Sequence, residues 1–260
     1  MIRTRKRFGQ HFLHDPGVLA RIADAINPQP GEHLVEIGPG PGALTARLLE
    51  RVAQLDAVEI DRDLAAALRV RWPQQLLLHE GDALKFDFSR LAGERGGMLR
   101  VVGNLPYNIS TPLLFHLLAH RAVIRDATVM LQKEVVDRMA AAPGSKQYGR
   151  LTVMLAPWFD ITSLFDVGPG AFQPPPRVWS AVARLTVLEQ PRFAVPASYG
   201  LVVARAFSQR RKTLRSSLRG LVPATAWDSC GIDSGARPET LQPREFASLA
   251  ALTPQRAGEG

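Results

Sequence analysis

Cysteine is almost missing from this chain of 260 residues: Cys230 is the only one, which excludes a disulfide framework and a cysteine-built zinc cluster. No apolar run approaches the roughly 20 residues of a membrane span, and the mean hydropathy of −0.04 is that of an ordinary soluble chain. The start, Met1 to Phe8, is basic but lacks the apolar core of an export signal. A cytoplasmic protein with no membrane partner is therefore expected. Acids are in deficit too, 24 against 32 basic residues, for a net charge of +8. Such an excess favours polyanions, nucleic acid ahead of an anionic membrane surface. Most of the basic residues are Arg, which can fork two hydrogen bonds onto a phosphate or stack on a base. Arginine-rich codon usage would give the same total, so clustering is more telling. The length allows one large domain or two, with no internal repeat.

The chain is organised around Leu99 to Pro112. An apolar strand-like run (Leu99, Val101, Val102) ends at Gly103, and Asn104-Leu105-Pro106-Tyr107 follows. In an open α/β sheet, ligands bind at the carboxyl ends of strands. Asn104 offers a side-chain carbonyl, and Pro106 pins the backbone so that the Leu105 carbonyl is offered beside it. Two converging acceptors suit an amino group that must be held with its lone pair exposed. Tyr107 supplies a flat face for a purine. No Asp, His or Lys stands in the motif as a strong base, which fits a nucleophile that loses its proton only after attack. Alkylation of an exocyclic amine is the chemistry suggested. The alternative is a strand, a proline turn and an Asn that caps the next helix.

Upstream, residues 3–14 carry no acid and combine Arg3, Arg5, Lys6 and Arg7 with Phe8, Phe12 and Leu13. A basic arm ending in an apolar turn that docks is expected, able to touch both RNA and a small ligand. Asp15-Pro16 then opens a helix pattern that stops at Asn27-Pro28. His33 to Ile37 reads as a buried strand, and Gly38-Pro39-Gly40-Pro41-Gly42 as a glycine turn before a helix start, where free N–H groups gather. Gly38-x-Gly40-x-x-Ala43 with Glu59 some 20 residues on also satisfies a relaxed dinucleotide fingerprint. Three features pull away from NAD: Glu36 inside the strand, prolines that remove N–H groups from the turn, and Asp82 at the end of a third strand candidate, Leu76 to Asp82. Acids at successive strand ends suit a neutral-to-cationic ligand bearing ribose and adenine, Glu59 on the ribose hydroxyls and Asp82 on the adenine amine. S-adenosylmethionine is the cofactor suggested.

Further on, Ile109 to His120 reads as a helix, Ala127 to Leu131 as a strand, Val135 to Ala142 and Leu151 to Trp158 as helices, and Ile161 to Val167 with Ala181 to Leu188 as a final hairpin. Between those two lies the proline-stiffened loop Phe172 to Arg177, where Phe172 could form the second face of a base sandwich or simply pack. From Glu189 strand signals cease. The strongest helix pattern is Val203 to Leu221, with Val203, Phe207, Leu214, Leu218 and Leu221 on one face. Arg205, Arg210, Arg211, Lys212, Arg215 and Arg219 are unrelieved by any acid, and phosphate contact is the reading they support.

With Lys6 to Leu13, Val35 to Thr45, Gly103 to Leu113, Leu131 to Val135, Phe172 to Val178 and Phe207 to Leu218 all in one order, the chain resembles the bacterial dimethyladenosine transferases that modify small-subunit ribosomal RNA. The resemblance implies an α/β class I methyltransferase (Rossmann-like) fold, a seven-stranded sheet over residues 1–188, and a small all-helical RNA-binding domain over 189–260. It implies a monomeric enzyme that transfers methyl groups from S-adenosylmethionine to the N6 atoms of two adjacent adenines in a hairpin loop near the 3′ end of the RNA, with the small ribosomal subunit as partner. His11, Leu13, Gly38, Gly40, Glu59, Asp82 and Asn104 would bind the cofactor; some members carry Asn at the position of His11. Asn104, Leu105 and Pro106 would hold the adenine between Tyr107 and Phe172, and Arg5, Lys6 and Arg7 would join the basic helix on the RNA. Three other readings compete: a large-subunit rRNA adenine dimethylase, disfavoured by Asn108 to Pro112 and the basic helix; an RNA-binding assembly factor in which methylation is secondary; and an NAD-dependent oxidoreductase, which predicts nicotinamide binding and no RNA affinity.

Overall fold

The structure, a computed structural model, describes residues 11–209 and 211–254. Its elements run β1 (Phe12–Leu13), α1 (Pro16–Ile26), β2 (His33–Ile37), α2 (Ala43–Leu49), β3 (Leu55–Glu59), α3 (Arg62–Arg71), β4 (Leu76–Glu80), α4 (Phe88–Arg95) and β5 (Leu99–Asn104). A 3-10 turn, Tyr107–Ile109, then leads into α5 (Ser110–Ala119), β6 (Ile124–Gln132), α6 (Lys133–Met139), α7 (Arg150–Leu155), β7 (Phe159–Val167), β8 (Phe172–Gln173) and β9 (Ser180–Val187). Four more helices follow: α8 (Tyr199–Ala206), α9 (Leu214–Ser217), α10 (Thr225–Cys230) and α11 (Pro243–Ala251).

Local chemistry accounts for the first helix. Asp15 accepts from the Val18 N–H at 2.9 Å, Pro16 sits where its missing N–H costs nothing, and Asn27 ends the helix in a left-handed conformation. Leu19, Ile22, Ala23 and Ile26 form its buried stripe. The seven-stranded sheet has the order β4-β3-β2-β5-β6-β9-β7. Strands β4 through β6 are parallel, and β9 runs antiparallel to β6. The apolar runs of β2 and β5 are buried almost end to end, as strands covered on both faces must be. Successive strands are added outward from β2 on one side and from β5 on the other, so the β2/β5 junction is the topological switch point. There Gly103 is obligatory: a Cβ on it would stand 2.5 Å from the Ile37 carbonyl, and its φ is +154°. A two-stranded pairing of β1 with β8, absent from the sequence reading, sets Leu13 opposite Phe172. At the other end of the sheet, buried Arg100 bridges Asp126 (3.0 Å) and Glu32 (2.5 Å) and donates to the Ile26 carbonyl.

The chain forms two compact units. Among the described residues, one runs to Val136 and resumes over Asp160–Val187; the other holds Asp137–Phe159 and the described chain from Leu188 on. A single cut after residue 188 therefore needs correcting. Tyr148 and Val153 pack with Val202, Leu218, Trp227 and Phe246, so the segment around α7 belongs to the helical core. The expected long helix from Val203 to Leu221 is also corrected: α8 ends at Ala206 and α9 is a separate short helix. No apolar residue lies between Ser208 and Thr213 to anchor a further turn. The Leu214 and Arg215 N–H groups bond instead to the Ala236 and Ser234 carbonyls. Among the described residues, no helix is long and apolar enough to cross a membrane.

Candidate active site

A cleft opens at the switch point, lined by His11, Leu13, Glu36, Gly38, Glu59 and Asn104 among others. Three strand ends position these groups. β2 delivers Glu36 and the turn at Gly38, β3 delivers Glu59, and β5 delivers Asn104.

Glu36 is 1% exposed and accepts from the Thr45 hydroxyl at 2.6 Å. Burial pushes its carboxyl up to about 7; the Thr45 bond opposes this, and the charge of Glu59 adds to it. Glu59 takes the Gly40 N–H on one oxygen (3.1 Å) and the Asp61 N–H on the other (2.8 Å). Burial raises its pKa as well, against those two bonds. Each carboxylate oxygen has a second lone-pair direction, so bracing the glycine turn leaves Glu59 able to accept from a ligand. Two acids made costly by burial favour a ligand that brings positive charge. Gly38, at φ +66°, has only the Pro106 ring edge within 4.0 Å of a would-be Cβ, so its bare backbone faces the cleft. These features fit S-adenosylmethionine.

Asn104 is half-buried, and its Nδ2 donates to the His11 carbonyl at 3.0 Å. A carbonyl can only accept, so the amide is fixed with Oδ1 as its free acceptor. No helix-capping bond from Asn104 is present: Pro106 precedes the 3-10 turn and Ile109 precedes α5. The Leu105 N–H donates to the Met130 carbonyl at 3.0 Å, and Leu105 and Pro106 both line the cleft. Tyr107 is held by a 2.5 Å bond between its hydroxyl and Ser180 Oγ, and burial raises its pKa, so it stays protonated.

Phe172 and Asp82 are not among the residues that line this cleft. Phe172 is 1% exposed and packs in the main core with Leu13 and Val182. The face expected to close a sandwich with Tyr107 is therefore not presented. One partner of Tyr107 is instead the His11 imidazole, stacked at 5.5 Å and 28°, its Nδ1 2.8 Å from the Pro174 carbonyl. Asp82 lies just past the end of β4 and lines a second cavity with His79, Lys85 and Phe86. The sequence reading missed Ile60: an apolar residue 47% exposed at the end of β3, lining the cleft beside Glu59. An apolar residue directly after a strand-end acid was the available signal.

Of the basic residues, Arg211, Lys212, Arg215 and Arg219 are exposed around α9. Arg205 is spent in part on structure, donating to the Ser217 carbonyl at 3.2 Å, and Arg215 donates to Ser234 Oγ at 3.1 Å. Arg5, Lys6, Arg7 and Arg210 lie outside the described residues.

A switch-point cleft with a glycine turn, strand-end acids and an Asn-Leu-Pro-Tyr mouth defines a class I methyltransferase acting on an amine. Residues 1–254 match the family described as ribosomal RNA adenine dimethylase, and the chain belongs to that family. It is 54% identical over 254 residues to the ribosomal RNA small subunit methyltransferase A of Pseudomonas putida, covering 95% of this chain and 94% of that one. The protein of the same name from Aromatoleum aromaticum is 55% identical over 250 residues, covering 95% and 93%. Among solved structures, a dimethyladenosine transferase from Plasmodium falciparum superposes with a TM-score of 0.78 at 27% identity, covering 92% of this chain and 96% of that one. The 23S rRNA methyltransferase ErmE gives 0.68 at 28% identity, covering 94% and 100%.

Proposed function

We propose that this chain dimethylates N6 of two adjacent adenosines in the 3′-terminal hairpin loop of small-subunit ribosomal RNA, acting as a monomer on the maturing subunit in the cytoplasm. It is an S-adenosylmethionine-dependent rRNA adenine dimethyltransferase. The observation that carries the finer reading is the Asn104 amide. It stands at the mouth of the cleft that holds Glu36 and Glu59, oriented so that an acceptor is offered.

S-adenosylmethionine supplies a methyl group already activated on a sulfonium. Glu36, Gly38, Glu59 and Ile60 would hold it, the two acids answering its positive charge and ribose hydroxyls, and Ile60 offering an apolar face to the adenine. Asn104 Oδ1 and the Leu105 carbonyl accept from the two N–H groups of the target adenine. That turns the nitrogen towards tetrahedral and frees its lone pair from the ring. Positioning and electrostatics do this work, and no strong base is required. Tyr107 offers its ring to the base, and the His11 imidazole would have to leave any face that the base takes. The second transfer proceeds with one acceptor bond fewer, since a monomethyl amine has a single N–H.

Large-subunit methylation is the competing reading. Identity above 50% to small-subunit enzymes, against 28% to ErmE, favours the small subunit. The test is methyl transfer to unmodified small subunits, with naked small- and large-subunit RNA alongside. Dimethyladenosine at two adjacent positions of the small-subunit RNA is expected; transfer to the large-subunit RNA alone would overturn the proposal.

A further inference from the structure

Two of the large apolar side chains left in solvent are consecutive. Val178 is 41% exposed and Trp179 56%. They lie at the ligand edge of the sheet, where β9 begins opposite the end of β6, with Gln132 paired to Ser180. Met98, also exposed, stands at the opposite edge, just before β5.

Trp179 is held in place. Its carbonyl accepts from the Lys133 N–H at 2.9 Å, and the outer carbons of its ring rest 3.6–4.0 Å from where a Cβ would stand at Gly168. The next residue, Ser180, is fully buried and is the partner of the Tyr107 hydroxyl. A fixed, exposed indole thus sits one residue from the group that positions the proposed base-binding ring. Arg177 is exposed two residues earlier, Asp166 is paired with Lys133 at 3.1 Å, and Glu134, also exposed, follows Lys133 in the chain. An exposed aromatic ring beside a guanidinium is how proteins hold unpaired bases on a single strand.

We infer that Trp179 is the stacking platform for the nucleotide adjoining the adenine in the cleft, with Arg177 meeting the phosphate between them. This rests on the proposed function, because a loop with two adjacent target adenines leaves one unpaired base outside the cleft at each step. The platform holds the second adenine in the one step that places it on the Trp179 side of the cleft.

Trp179→Ala and Trp179→Phe are compared with the wild-type chain for methyl transfer to unmodified small subunits, with Met98→Ala as control. A stacked base is worth about 1–3 kcal/mol, or about fivefold to more than a hundredfold. KM for the subunit should therefore rise about tenfold in Trp179→Ala, with S-adenosylmethionine affinity unchanged, while Trp179→Phe keeps most of the wild-type value and Met98→Ala all of it. RNA should also quench tryptophan emission in the wild-type chain and much less in Trp179→Phe, although the other three tryptophans remain. An unchanged KM in Trp179→Ala overturns the platform. A wild-type chain that methylates no RNA overturns instead the function on which it rests, and the platform with it.

Discussion

The side-chain amide of Asn104 donates to the backbone carbonyl of His11, 93 residues earlier, at 3.0 Å. That contact decides which atom of the amide meets a substrate. Replacing Asn104 by Ala removes the acceptor; RNA binding should be nearly normal while the rate falls at least about a hundredfold, the scale of losing one preorganised polar contact. The residual product should be enriched in monomethyladenine. Asn104→Asp would set a carboxylate oxygen against the His11 carbonyl, so the segment bearing His11 should lose protection from hydrogen exchange in that variant. Full dimethylation by Asn104→Ala at the wild-type rate would remove Asn104 from the mechanism.

Glu59 both braces the turn through the Gly40 N–H and faces the cleft. Charged hydrogen bonds of this kind are worth about 1.5–3 kcal/mol, so Glu59→Ala should weaken S-adenosylmethionine binding at least about tenfold by calorimetry. Glu59→Gln retains one acceptor and should fall between. Wild-type affinity in a folded Glu59→Ala variant would show that Glu59 only braces the turn.

What was legible in the sequence is what is encoded locally. Asp15-Pro16 and Asn27 mark the ends of α1 because caps and prolines act within a few residues. Glu36, Glu59 and Asn104 announced themselves because each stands at or near the end of an apolar run, and parallel strands bring those ends to one edge. What failed is what depends on distant partners. Arg100 finds Glu32 68 residues away. Phe172 is drawn into the core by its pairing with Leu13. The basic segment reads as a continuous helix by angle alone, yet Ala236 and Ser234 capture the N–H groups that would have extended it. Tyr148 joins the helical unit through its hydroxyl, 2.7 Å from the Leu241 carbonyl, a bond that no pattern in 137–159 foretells.

Glu36 should make cofactor binding proton-linked. Burial keeps it largely protonated below about 7, and a cationic ligand favours the carboxylate, so binding releases a proton. Affinity for S-adenosylmethionine should climb as pH rises to about 7 and level off above it, and binding heats should vary with the buffer's heat of ionisation. Stability of the free protein runs the other way. A carboxyl whose pKa rises on folding from 4.5 to about 7 contributes most at low pH and loses that contribution across this window. Glu36→Gln should flatten both profiles; heats independent of buffer near pH 6 would refute the linkage.

The exposed cations around α9 should position RNA without taking part in transfer. Lys212, Arg215 and Arg219 are exposed, as is Arg205, but Arg205 donates to the backbone carbonyl of buried Ser217, whereas the bond of Arg215 is to the Ser234 hydroxyl. Reversing Lys212, Arg215 and Arg219 to Glu should abolish RNA binding and leave S-adenosylmethionine affinity unchanged. Neutralising them singly to Gln should flatten the log–log salt dependence of binding by about one unit or slightly less each, one phosphate contact apiece. Arg205→Gln should instead lower thermal stability, because the Ser217 carbonyl loses its donor, with little change in the salt slope. A triple reversal that still methylates subunits at the wild-type rate would remove this segment from the RNA interface. An Arg205→Gln variant that loses a full unit of salt slope would show that Arg205 reaches a phosphate despite its bond to Ser217.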